Sequence, residues 1–153
     1  MSTTTCQSQT AGKCSTSYAT FSPNDTSSEL TAPYYSNDLV QSDPRSASAT
    51  DNTYLTTDTY NNAGELASQT SPPVPGYPSG RTTTYSSTDG SSTAGGSGGA
   101  VVPPAGLLWK TVSPGTAVTE TLYDAYGNIA KTVSANGLTT AYSYDGIGRP
   151  GLD

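Results

Sequence analysis

Lys110-Thr111-Val112-Ser113 returns as Lys131-Thr132-Val133-Ser134, and the alignment runs on without a gap through Thr119/Thr140, Tyr123/Tyr144, Asp124/Asp145 and Gly127/Gly148. A chain that rewrites itself every 21 residues encodes one small structural unit copied along its length, and this excludes most other ways of folding it. Inside one unit the residues alternate. Leu138, Thr140, Tyr142 and Tyr144 share one face of a strand, and Thr139, Ala141 and Ser143 share the other. In the preceding copy Ala117, Thr119, Thr121 and Tyr123 take the matching face, with Val118, Glu120 and Leu122 opposite. The copies agree on a tyrosine at the strand's end and differ in which face is the more apolar. Either both faces are partly covered or one copy forms an edge.

The segments between the strands read as turns. Asp124-Ala125-Tyr126-Gly127 and Asp145-Gly146-Ile147-Gly148 place Asp first, where its carboxylate accepts a backbone N–H two residues on, and Gly fourth, where a positive φ is often needed. Tyr60-Asn61-Asn62-Ala63-Gly64 is the same device with Asn in the capping position. One polar residue follows each glycine (Glu65, Asn128, Arg149). Leu66 and Ile129 then open the next strand, while Pro150 interrupts the pattern in the third copy. Ala135-Asn136-Gly137 supplies the opposite turn. Each unit is therefore a hairpin: strand, Tyr-Asp turn, strand, Asn-Gly turn. The expected fold is all-β, an antiparallel meander of hairpin repeats with long irregular loops. One hairpin cannot bury its own apolar face, so the units must associate.

Tyr123-Asp124-Ala125-Tyr126-Gly127-Asn128 and Tyr144-Asp145-Gly146-Ile147-Gly148-Arg149, with Asn136-Gly137-Leu138-Thr139-Thr140 between them, resemble the YD repeats of bacterial Rhs proteins, insecticidal toxin-complex shells and teneurins. The resemblance is close over residues 107–150. It weakens over 54–90, where Tyr60-Asn61 replaces Tyr-Asp and a proline-rich loop intrudes, and is not visible before about residue 50. It implies a β-sheet that spirals into a large hollow shell, which in Rhs proteins encloses a C-terminal toxin. It also implies neighbouring repeats of a longer parent chain as partners, an extracellular or cell-surface parent, and a structural role without catalysis. The chain holds about two and a half such repeats, lacks the family's core cleavage region and a toxin domain, and reads as a fragment of a longer shell protein.

Outside the repeats the chain is polar. Ser and Thr supply 48 of 153 residues, while apolar residues make up only 32%, so any core is small. Residues 1–50 are poorly ordered or form short strands, with Leu39 and Val40 as the best anchors. Residues 51–90 hold the degenerate repeat and a proline-rich loop at 71–80. Residues 91–106, rich in Gly, Ser and Pro, read as a flexible linker. Residues 107–153 carry the clearest repeats.

The chemistry is sparse. There is no histidine, which removes Ser-His-Asp triads, Cys-His dyads and His-bearing metal sites. Asp124 and Asp145 serve the turns, and no catalytic, cofactor-binding or metal-ligating residue stands out. The Gly-rich stretch at 90–99 has no following Lys-Ser/Thr, so it is no phosphate loop. A net charge of −6 with six scattered basic residues disfavours nucleic acid. No apolar run is long enough for a membrane span, and the first residues carry no secretory signal. Cys6 and Cys14 are either a disulfide closing a small loop or two free thiols. Two functional alternatives to the shell segment follow from composition. One is a cell-surface module holding carbohydrate on exposed tyrosines such as Tyr142. The other is a disordered Ser/Thr-rich stalk.

Overall fold

The computed structural model describes residues 2–6, 14–23, 37–42, 52–145 and 148–151. The chain divides into two compact units, Met1–Thr82 and Thr83–Asp153, and each is built of antiparallel strands paired in the order of the sequence. Among the described residues the only helical piece is a single 3-10 turn, Asn52–Tyr54, and no helix is long and apolar enough to cross a membrane.

The first unit holds β1 (Ser2–Cys6), β2 (Cys14–Pro23), β3 (Asn37–Ser42), β4 (Leu55–Tyr60) and β5 (Leu66–Thr70). The β2–β3 register sets Phe21 opposite Leu39 and Thr20 opposite Val40. In β4 and β5, Thr and Ser occupy the paired positions Thr57/Thr70 and Thr59/Ser68, where β-branched residues suit the pleat. The Thr59 and Ser68 hydroxyls hydrogen-bond at 2.7 Å. The alternate position carries Asp58, only 8% exposed, and the Gln69 amide opposite it donates to Oδ1 at 2.9 Å. A buried carboxylate with such a partner avoids the cost of an unmade hydrogen bond. The proline-rich segment 71–80 folds back on itself: Tyr77 N–H donates to the Val74 carbonyl at 2.8 Å, Ser71 N–H donates to the Arg81 carbonyl at 2.9 Å, and the Arg81 guanidinium lies 4.2 Å over the Tyr77 ring.

The second unit holds β6 (Thr82–Ser87, whose first residue closes the first unit), β7 (Leu108–Val112), β8 (Val118–Tyr123), β9 (Ile129–Val133) and β10 (Thr139–Ala141). Its register aligns Tyr85 with Thr111, Thr111 with Thr119, Thr121 with Thr132 and Thr132 with Thr140. One face is therefore largely hydroxyl-bearing. The other carries Val112, Val118, Leu122 and Val133 around the Lys110–Glu120 ion pair, 3.5 Å apart. Those valines and Leu122 are half-buried and Leu108 and Ile129 are exposed. Over residues 53–145 and 148–151, Pro103 apart, no apolar side chain is buried. Strand β10 is shorter than the alternation at 138–144 suggests, although Tyr142 N–H still donates in register to the Ala130 carbonyl at 2.9 Å.

Residues 91–106 have the composition of a flexible linker, yet in the structure they are folded onto the repeat. Tyr123 N–H donates to the Gly95 carbonyl and Ser97 N–H to the Tyr123 carbonyl, both at 2.8 Å, which makes a short parallel bridge beside β8. Thr88, 2% exposed, gathers the base of the loop. Its Oγ1 donates to the Pro104 carbonyl and accepts from Leu107 N–H at 3.0 Å. The physical reason is steric. A Cβ on Gly95 would lie 2.8 Å from Trp109 and 2.7 Å from Thr88 Cγ2. Glycine here permits close approach to the indole, where composition alone reads as slack. A disordered stalk therefore does not describe residues 52–145, which form paired strands and closed turns.

Candidate functional site

The repeat's turns share one backbone geometry. In each, the first residue donates its N–H to the carbonyl four positions on, and the residue three positions on donates back to the first carbonyl. The distances are 2.9 and 3.2 Å for Asp124, 2.9 and 2.9 Å for Asp145, and 2.9 and 2.9 Å for Asn61. The opposite turns match, at 2.9 and 2.8 Å for Ser134 and 2.9 and 3.1 Å for Ser113. The fourth residue has a positive φ in every case: Gly64, Gly127, Gly137 and Gly148 lie between 79° and 88°, and Thr116 at 70°. This is a tight turn followed by a left-handed residue, the form that joins strands with matching twist. Ser113-Pro114-Gly115-Thr116 is the turn that a search for Gly at the fourth place misses; its alignment with Ser134 in the 21-residue repeat is the signal that reveals it.

Side chains lock the Tyr-Asp turns. Asp124 Oδ1 accepts from Tyr126 N–H at 2.8 Å and Asn128 N–H at 2.9 Å, and Oδ2 accepts from the Asn128 amide at 2.8 Å. Asp145 accepts from Arg149 N–H at 2.9 Å and Arg149 Nε at 2.6 Å. Asn61 Oδ1 takes Ala63 and Glu65 N–H, both at 2.9 Å, while its Nδ2 donates to Glu65 at 2.7 Å. The residue after each glycine thus closes the ring. Partial desolvation pushes the Asp124 carboxyl up, but the hydrogen bonds from Asn128, Tyr126 and Gly127 outweigh it and hold it below its ordinary value. Asn136 does related work: its Oδ1 accepts from the Ser134 hydroxyl at 2.6 Å and from Leu138 N–H at 3.2 Å.

The tyrosines act at longer range. Tyr123, at the end of β8, donates its hydroxyl to the Leu108 carbonyl at 2.7 Å, and Tyr144 donates to the Ile129 carbonyl at 2.9 Å. Each reaches back 15 residues, Tyr123 from the end of β8 and Tyr144 from three residues past β10, to the first residue of the hairpin's opening strand. Desolvation raises the Tyr123 phenol above its ordinary value. Alternation in the sequence places both rings on a strand face; the carbonyl each one straps is visible only in three dimensions. Tyr60 closes β4 at a bulge.

Between the two successive Tyr-Asp turns lies an open cavity of about 460 Å³ lined by Asp124, Tyr126, Asn128, Tyr144, Asp145 and Gly148. Tyr126 stands 88% exposed at its rim. The carboxylates that line it accept the N–H groups of their own turns. Among the described residues no three His, Cys, Asp or Glu side chains cluster to hold a metal ion. Cys6 and Cys14 lie elsewhere, as register partners at the end of the β1–β2 ladder.

Residues 123–151 match the RHS Repeat family model, a span that opens on Tyr123-Asp124 and closes just past Gly148-Arg149. No curated protein matches the chain.

Proposed function

We propose that this chain, which carries an RHS repeat over residues 123–151, is a non-catalytic building segment of a larger Rhs-type shell. In this reading its partners are neighbouring repeats of a parent protein at the cell surface or outside the cell, and the completed sheet encloses a C-terminal toxin. One observation carries the reading. The capped turn and the tyrosine strap recur with the same partners one repeat apart, Tyr123 to Leu108 and Tyr144 to Ile129. A device copied at every repeat serves repetition of the backbone, whereas a reaction centre needs one differentiated site. The absence of a buried apolar core among residues 53–145 points the same way, since a lone hairpin sheet gains stability by adding neighbours. The test is to append further 21-residue units after Arg149. The melting temperature should rise with each unit and the transition should sharpen; a melting temperature indifferent to added units would overturn the reading.

A second reading, carbohydrate binding, is favoured by the cavity between the turns. Exposed Tyr126 offers an apolar ring face, and Asn128 and the two carboxylates offer hydrogen-bonding edges. A glycan array probed with the intact chain tests it. Signal abolished by Tyr126→Ala supports it, and background-level binding removes it.

A further inference from the structure

We propose that Cys6 and Cys14 form a disulfide that staples β1 to β2. The argument rests on register. The β1–β2 ladder runs from Ser2 opposite Tyr18 to Cys6 opposite Cys14, and the two cysteines are its last pair. Directly opposed residues of antiparallel strands hold their Cα atoms about 4.5–5.5 Å apart, inside the span of about 4.4–6.8 Å that a disulfide bridges. A slip of one residue would send the two cysteines to opposite faces, so strand pairing does what sequence spacing alone cannot.

The position also gives the bond a purpose. Strand β1 pairs with β2, and the Cys6/Cys14 rung is the one beside the connection between them. A bond at this rung closes that connection and takes conformational freedom from the unfolded chain. It also keeps the end of the ladder from opening.

The bond forms by thiol–disulfide exchange with an oxidised low-molecular-weight disulfide such as oxidised glutathione. One cysteine thiolate attacks a glutathione sulfur and expels a glutathione thiolate. The second cysteine thiolate then attacks the protein sulfur of the mixed disulfide and expels the other. Two protein thiols are oxidised by two electrons, and one glutathione disulfide becomes two glutathione thiols.

The experiment equilibrates the full chain with reduced and oxidised glutathione, in native buffer and in urea. Acid quenching and maleimide labelling then count free thiols by intact mass. If folding pairs the cysteines, the intramolecular disulfide forms with an equilibrium constant at least about tenfold larger in native buffer than in urea. Equal constants in the two solvents, persistent double maleimide labelling, or chain-to-chain disulfides overturn the proposal. Amide exchange provides a second readout. Oxidation should slow exchange in 2–6 and 14–23 and leave 118–133 unchanged, and the Cys6→Ser/Cys14→Ser variant should show the reduced pattern under both conditions. Exchange in 2–6 that ignores oxidation also overturns it. These strands lie outside the repeats at 107–150, so failure here leaves the shell-segment reading as it stands.

Discussion

Thr116 shows how far one residue can be pressed by a repeating backbone. It occupies the place that Gly127, Gly137 and Gly148 take in the other turns of the same unit, at φ 70°. A β-branched residue there costs about 1–2 kcal/mol, offset in part by its hydroxyl donating to the Gly115 carbonyl at 2.6 Å. Thr116→Gly should therefore stabilise the chain by about 1 kcal/mol, read as a rise in the urea midpoint. Asp89 gives the corresponding electrostatic case. The backbone N–H groups of Ser91 and Ser92 bond its carboxylate at 2.8 and 2.7 Å and bring its pKa from 3.8 down to about 2. A depressed carboxyl contributes stability that is complete above its unfolded value and disappears as pH falls through the folded one. The Asp89 contribution should accordingly be whole above pH 3.8 and fade as pH drops through about 2. A carboxyl chemical-shift titration with a midpoint near the unfolded value would contradict this, and Asp89→Asn should flatten the acid limb of the stability curve.

At the scale of elements, the hairpins are held by two devices of different reach. The turn caps are local, within four residues; the tyrosine straps span 15. Tyr123→Phe removes one strap and leaves the Leu108 carbonyl without it, so unfolding free energy should fall by about 1 kcal/mol with no change in far-UV circular dichroism. The loop at 88–106 is a third device. Gly95→Ala would drive a Cβ to within 2.8 Å of Trp109 at a φ of +80°, so the loop should detach from Tyr123 at a cost of about 2–4 kcal/mol. Limited proteolysis should then cut within 91–106. Gly99→Ala, with nothing within 4 Å of the new Cβ, is the matched control and should leave the digestion pattern unchanged.

At the scale of the molecule, the governing fact is that residues 53–145 fold into sheet without a buried apolar interior. Half-buried valines on one face and threonine rows on the other are stabilised pair by pair across strands. Such a sheet behaves as a one-dimensional array, in which each hairpin is stabilised by the next. This is the reason appended repeats should raise the melting temperature, and the reason β10, exposed along its length, should show the fastest amide exchange of the strands in its unit. A protected β10 in the isolated chain would mean that something other than the neighbouring strand covers it.

The sequence alone determined the period, the turns and the all-β character. These are local matters: a Tyr-Asp-x-x-Gly motif specifies its turn through contacts within five residues, and alternation specifies a strand through its pleat. It also located the match at 123–151 through Tyr123-Asp124 and Gly148-Arg149. Only the tertiary structure decided what Tyr123 and Tyr144 bond, and that the glycines at 95 and 96 are contact points against Trp109 and Tyr123. Those outcomes depend on register and on atoms 14 to 28 residues away along the chain. Periodicity and composition carry no record of such distances, because a glycine that yields to an indole and a glycine that yields to nothing are written with the same letter.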